Sequence, residues 1–416
     1  MISRVHLFDI IAILLSLTAL CSYLNYRYIH LHTTIGVMLI ALAISILLLA
    51  LGDSWLGIRP VAIRLLQHVQ FDQALLQWML GFLLFAGAMH VDISELARQK
   101  ALVSLLATLG TAASMFIVGA LTWLALKALG IPMPWIFCLL FGALISPTDP
   151  VAVLAIMKVA GAPKSVETKL AGESLFNDGI GVVLFLTLVA FTTGHQPAGP
   201  GAVVGLLLRE VVGGAIIGLV AGWVVFQLLK RVDQYQVEVL LTLALAMGGY
   251  ALAGALHTSA PIAAVVSGML IGNRGRAAAM SAKTRTHLDD FWELIDEILN
   301  AVLFLMVGLV MLTLAFNQRH LLAILLIIPI TLFARWCSVF GAILLLSRKQ
   351  TFRRGLVPIL TWGGLRGGLS VAMALSLPPS DARATIIAIT YGVVIFSIAI
   401  QGTTIKALVH RCLRDA

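Results

Sequence analysis

Two carboxylates, Asp149 and Asp178, stand inside neighbouring apolar stretches of this chain. Asp149 lies in Ser146-Pro147-Thr148-Asp149-Pro150, and Asp178 closes the run Glu173-Ser174-Leu175-Phe176-Asn177-Asp178. The segments around them, 135–157 and 169–192, are long enough to cross a bilayer. An ionisable group at that depth costs on the order of several kcal/mol and marks an ion or proton path by default. Three more ionisable residues fall well within apolar stretches: Glu173, Arg335 and Arg366. Salt bridges between helices would use two acids and two bases. The third acid is left over, or must take a proton.

Spacing assigns these side chains different work. Ser174 and Asp178 are four apart and share a helical face, with Asn177 beside them. Hydroxyl, amide oxygen and carboxylate are hard donors, suited to a small dehydrated alkali cation. Glu173 is rotated by about 100° from Ser174, toward a partner helix. Arg335, in Phe333-Ala334-Arg335-Trp336, is the expected partner in a structural ion pair. In a desolvated site a bare carboxylate is costly. Proton and cation then compete for Asp178, and exchange follows if the carrier reorients only when one of them is bound.

The elements that position these residues are interrupted. Pro147 and Pro150 bracket Thr148-Asp149, and each proline removes a backbone donor and disfavours helix before it. Non-helical backbone at membrane depth is tolerated only when buried in protein or lining a cavity. A second interruption, Trp362-Gly363-Gly364-Leu365-Arg366-Gly367-Gly368, places an arginine among four glycines. Breaks expose half-helix ends, each worth about half a charge. Asp149 could offset positive ends, and Arg366 negative ends, so Asp149 reads either as a ligand or as a charge compensator.

The whole chain fits this membrane setting. Of 416 residues, 60% are hydrophobic and 11% charged, against about 25% charged in a soluble domain. Mean hydropathy is +1.01. The fold class expected is an all-α polytopic membrane protein. Thirteen spans are read at 7–24, 33–51, 74–91, 101–128, 135–157, 169–192, 203–229, 236–256, 260–272, 289–314, 320–346, 354–377 and 384–409. Most of the 28 Lys and Arg fall in loops that follow odd-numbered spans or in the C-terminal tail, which puts the N-terminus outside and the C-terminus in the cytoplasm. That bias also accounts for the net charge of +9 without a nucleic-acid partner. Arg4 and the apolar run to Tyr23 lack a small-x-small cleavage site, so a retained first span is expected, with no soluble domain on either side. The four cysteines stand singly and the ten histidines are scattered, which points to neither a disulfide framework nor a zinc site. Asp9, Lys158, Glu210, Glu238, Glu293, Asp296 and Glu297 sit near span ends and are expected to reach water.

Spans 1–6 and 8–13 form two halves of opposite orientation, with span seven between them. The breaks fall in the fifth span of each. Interrupted helices at matching positions of inverted repeats point to the binding site of a secondary transporter. An intramembrane aspartyl protease also uses two aspartates in neighbouring spans, but Asp149 follows Thr and Asp178 follows Asn, not Gly-x-Gly or Tyr. A cation channel would conduct without proton coupling. A carrier of organic anions would want basic groups in the cavity.

Taken together, Ser146–Asp149, Glu173–Asp178, Phe291–Gly308, Ala334-Arg335 and Trp362–Gly367 resemble the monovalent cation:proton antiporter-1 family, the bacterial NhaP and eukaryotic sodium/proton exchangers. The resemblance covers most of the chain in span order. It implies thirteen spans with broken helices 5 and 12 crossing at the midplane, and a homodimer embedded in lipid. It divides the chain into a moving core bundle at about 101–192 and 320–409, a dimerisation scaffold at about 7–91 and 236–314, and a connector at 203–229. It implies that Asp178 binds cation and proton alternately, with Asn177, Asp149 and Thr148 in the same site and Ser174 adding an oxygen. Sodium would rest on Asp178, Ser174 and Thr148; Glu173 and Arg335 map to the family's ion pair, and Arg366 to the arginine of the second break. Asn300 stands where electrogenic relatives carry a lysine, and Asn177 where they carry an aspartate, which favours electroneutral exchange. The expected function is sodium/proton antiport serving pH homeostasis, with lithium or potassium as the alternative cation. No cofactor and no enzymatic activity are expected, and the short tail suggests the inner membrane of a prokaryote.

Overall fold

Helices rich in apolar residues make up the described part of this protein. The computed structural model describes residues 7–51, 79–159, 161–192, 200–276, 280–314, 317–348, 352 and 355–414. The helices in chain order are α1 (Leu7–Leu24), α2 (Thr33–Leu51), α3 (Leu80–Met89), α4 (Ile93–Ala128) and α5 (Trp135–Ile145). There follow α6 (Val151–Val159), α7 (Lys164–Thr192), α8 (Pro200–Leu229), α9 (Tyr235–Ala255) and α10 (Ala260–Leu270). The chain closes with α11 (Ala282–Val310), α12 (Gln318–Leu346), α13 (Leu356–Trp362), α14 (Gly368–Leu375) and α15 (Asp381–Cys412). Eight of the described helices are long and apolar enough to cross a membrane. Residues 74–78 of the third expected span, and 52–78 of the expected scaffold, lie outside the described residues.

Helix starts precede the hydropathic spans by the most in two places, for one reason. The fourth span was read from residue 101, but α4 starts at Ile93, where Asp92 accepts hydrogen bonds from the Ser94 and Glu95 backbone N–H groups. The tenth was read from 289, but α11 starts at Ala282, behind a Ser281 cap that accepts from the Thr284 N–H. Hydropathy marks where a helix enters apolar surroundings, whereas the cap marks where its hydrogen bonding begins. Glu238 also departs from expectation. It is 0% exposed, buried beside Thr284 of α11, because its face of the first turn of α9 points at a neighbouring helix, while Tyr235 and Gln236 of the same turn are exposed.

Packing falls into two groups. In one, α4 lies against α5 and α12, α7 against α5, and α12 and α14 against α15. In the other, α8 lies against α9 and α10, α3 against α10, and α2 against α11. Gly214, Gly218 and Gly222 let α8 approach the backbone of α10 at Ser259, Ala263 and Ser267. Small residues at a four-residue interval are a common way for membrane helices to pack when apolar side chains gain nothing by leaving lipid. The groups meet where α7 packs on α8 and α10, and where α11 packs on α14.

Candidate functional site

The fifth and twelfth spans are each split, into α5 and α6 and into α13 and α14, and the two breaks touch. The Asp149 backbone N–H donates to the Leu365 carbonyl at 2.8 Å, in an antiparallel bridge. Proline at 147 and 150 prevents the first helix from continuing. Gly363, Gly364, Gly367 and Gly368 let the second open without side chains in the way. A Cβ on Gly367 would fall on the Asp149 carboxylate, and one on Gly364 would meet the Arg335 guanidinium.

Each freed helix end has a partner. Arg366 Nη1 donates to the Ser146 carbonyl at 2.5 Å and to the Pro147 carbonyl at 2.9 Å, covering the negative end of α5. Asp149 Oδ1 accepts from the Val151 N–H at 3.0 Å, capping α6. The same carboxylate lies beside Gly367, where α14 begins without a side-chain cap of its own. Asp149 therefore sits between two positive helix ends. Arg335 serves the remaining negative end, with Nε and Nη2 donating to the Leu360 carbonyl at 3.2 and 3.0 Å.

Arg335 also holds Glu173 in a two-pronged ion pair: Nη1 to Oε1, and Nη2 to Oε2 at 2.9 Å. Glu173 is 1% exposed. A buried carboxylate is tolerated only when paired and hydrogen-bonded, and the planar guanidinium supplies both. The pair ties α7 to α12, while the Leu360 bonds tie α12 to α13.

Asn177 and Ser174 face the first break. The Thr148 N–H donates to Asn177 Oδ1 at 3.3 Å, and Asn177 Nδ2 donates to Thr148 Oγ1 at 3.0 Å. The Ser174 hydroxyl donates to the Thr148 carbonyl. In this arrangement these two side chains hold the broken strand of backbone rather than an open oxygen cage. Gly181, one turn further on, has no room for a Cβ against the Pro147 ring, so α7 can lie directly on the break. Asp178 stands apart from these bonds. It is half-buried, within electrostatic reach of Asp149, and it forms no hydrogen bond or ion pair among the described residues.

Two contributors were not picked out from sequence. In the π-helical turn Ser397–Gln401 of α15, Ser397 Oγ accepts from the Arg366 N–H at 2.8 Å, and Gln401 Nε2 donates to the Trp362 carbonyl at 3.0 Å. Together they hold both sides of the second break. Their signal was a polar pair four residues apart, on one face of the helix. π turns inside helices often mark functional sites.

Two broken helices crossing inside an apolar bundle, with charged side chains on their ends, define the fold of a secondary transporter. Residues 13–411 match the family described as "Sodium/hydrogen exchanger, transmembrane", and the chain belongs to this family of transporters, the monovalent cation:proton antiporter-1 family. The Na(+)/H(+) antiporter NhaP of Pseudomonas aeruginosa is 47% identical over 408 residues, 97% of this chain and 96% of the relative. The Na(+)/H(+) antiporter NhaH of Halobacillus dabanensis is 36% identical, over 89% of this chain and 91% of the relative. Among solved structures, the sodium proton antiporter MjNhaP1 from Methanocaldococcus jannaschii matches with a TM-score of 0.77, covering 98% of this chain and 99% of that one. At 19% identity that likeness shows the fold. The all-helical membrane architecture read from the sequence is the one found.

Proposed function

We propose that this protein exchanges a monovalent cation, sodium before lithium or potassium, for protons by alternating access, with Asp178 as the exchangeable carboxylate. One observation carries the reading. Glu173, Arg335, Arg366 and Asp149 are all engaged with each other or with helix ends, and Asp178 alone of the five makes no side-chain hydrogen bond or ion pair among the described residues. A carboxylate so placed has its charge satisfied by a proton or by a cation, and each displaces the other. Thr148, Ser174 and Asn177 lie close enough to the crossing to add oxygen ligands once a cation arrives. Net charge at the site is then the same with one proton or one monovalent cation, which supports electroneutral exchange.

The two packing groups support a moving core of α4–α7 and α12–α15 against a scaffold of α1–α3 and α9–α11, with α8 lying along the scaffold. The relatives named as sodium/proton antiporters support sodium as the cation. A homodimer in the inner membrane of a prokaryote, with the C-terminus cytoplasmic, completes the reading; the loop charge bias supports the orientation. The test is dissipation of a pH gradient in inverted membrane vesicles on adding Na+, Li+ or K+. Wild type should collapse the gradient with Na+, and Asp178→Asn should not. Wild-type rates in Asp178→Asn would overturn the reading.

A further inference from the structure

Where the chain passes from the scaffold group to the core group, a side chain from beyond α10 holds the passage. α3 ends at Met89 and α4 begins at Ile93, so only His90, Val91 and Asp92 lie between them. Asn273 stands in the π-helical turn Ile271–Gly275 that follows α10. Its Nδ2 donates to the Val91 carbonyl at 2.9 Å and to the Met269 carbonyl of α10 at 2.9 Å. Its Oδ1 accepts from the Ile93 N–H at 2.9 Å. One amide thus grips both ends of the connection and its own helix. The approach is close because Gly272 lies against the Met89 backbone with no room for a Cβ.

The same contact completes the start of α4. The first N–H groups of a helix have no partner within it. The Asp92 carboxylate takes those of Ser94 and Glu95, and Asn273 takes that of Ile93. A core helix therefore draws part of its cap from the scaffold. Extended chain reaches at most about 3.3–3.6 Å per residue, so three residues cannot let the first turn of α4 slide far from the last turn of α3. The Asn273 bonds shorten that reach further. A core that moves against the scaffold can turn at this point but cannot travel.

We propose that Asn273 makes the α3–α4 connection a fixed pivot for the core, with its bonds to Val91 and Ile93 kept in both orientations of the site. This rests on the alternating-access reading above. Asn273 is a positioning residue: it acts through the start of α4 and not through the ion. Loosening the pivot should slow reorientation and leave the affinity for the cation alone.

The experiment uses full-length protein in inverted vesicles. In Asn273→Ala, Vmax should fall about tenfold, with the apparent KM for Na+ within about twofold of wild type. The double variant Ile93→Cys/Asn273→Cys should be as slow until its two thiols are joined by a short bifunctional reagent. Joining them should then restore Vmax to within about threefold of wild type treated with the same reagent. A contact that must open during the cycle would give the opposite result, so no recovery or a further loss on joining overturns the pivot. Wild-type Vmax in Asn273→Ala, or a raised KM with Vmax kept, also overturns it. Amide hydrogen exchange of the purified protein gives a second measure. In Asn273→Ala the Ile93 amide should exchange at least about tenfold faster, with amides beyond the first turn of α4 at wild-type rates. Faster exchange along the whole of α4 would assign Asn273 to folding instead. If wild type exchanges no cation, the antiport reading falls, and the hydrogen-exchange comparison still decides whether Asn273 holds the start of α4.

Discussion

The backbone N–H of Asp149 donates to the carbonyl of Leu365 across 2.8 Å, so the two interrupted spans are joined to each other at the points where each gives up its helix. That bond, with Arg366 on the Ser146 and Pro147 carbonyls, makes the crossing one unit. A movement of α5–α6 carries α13–α14 with it. The charged groups at the crossing then divide into those that hold it together and Asp178, which makes no side-chain hydrogen bond or ion pair among the described residues.

Asp149→Asn separates the two readings of that residue. Asparagine caps a helix about as well as aspartate, so the bond to the Val151 N–H should persist, while the negative charge between α6 and α14 is lost. Exchange by Asp149→Asn is expected to fall at least about tenfold in Vmax, with the apparent KM for Na+ within about threefold of wild type. Vesicle kinetics at several Na+ concentrations measure both. A large rise in KM with Vmax retained would make Asp149 a ligand.

Removing one member of the Glu173–Arg335 pair leaves the other charge buried. Glu173→Gln and Arg335→Ala should each destabilise the protein by roughly 3–5 kcal/mol. Arg335→Ala should be the worse of the two, because it also frees the Leu360 carbonyl. The double variant should cost less than the sum of the singles. Thermal unfolding of purified protein in detergent gives the comparison, and strict additivity would show that the pair is not coupled.

Gly181→Ala should abolish exchange or lower it severely, since its methyl would overlap the Pro147 ring and push α7 off the break. Gly248→Ala is the control, because a Cβ there meets nothing within 4 Å. Equal exchange by the two variants would show that α7 can move away from the break at no cost to transport.

Outside the membrane, Asp92 caps α4, and hydrogen bonds from the Ser94 and Glu95 backbone N–H groups hold its carboxyl below the usual carboxylate range. The folded state thus binds this proton less readily than the unfolded chain. The cap's contribution is fully present above the unfolded value near pH 4 and fades as pH falls through the lower folded value. Asp92→Ala should lower stability by about 1 kcal/mol at neutral pH and converge with wild type in acid. Unfolding midpoints of both proteins across pH 2.5–7 test it, and a constant difference down to the lowest pH would contradict the assignment.

Much of the fold was legible because lipid imposes a simple rule. With no water to satisfy the backbone, a span must be a long apolar helix, and loop charges sort by side. Glu173 and Arg335 could be matched from sequence because a buried charge has few tolerable surroundings. Ser397 and Gln401 escaped notice because a polar pair in an apolar helix gains meaning only when its neighbour is a broken helix. Glu238 was misplaced because position along the membrane normal says nothing about which helix covers a side chain.

The sequence by itself determined the membrane class, the positions of the helices, the two breaks and the surplus of acid, since each follows from composition, proline and glycine chemistry, or the cost of burying charge. Only the tertiary structure decided how those parts divide the work. Hydrogen bonds between residues far apart in the chain place Arg366 and Arg335 on two negative helix ends, Asp149 between two positive ones, and Ser174 and Asn177 on Thr148. Spacing along one helix cannot reveal which partner a neighbouring helix brings, and it is those partners that, among the described residues at the crossing, leave the Asp178 carboxylate without one.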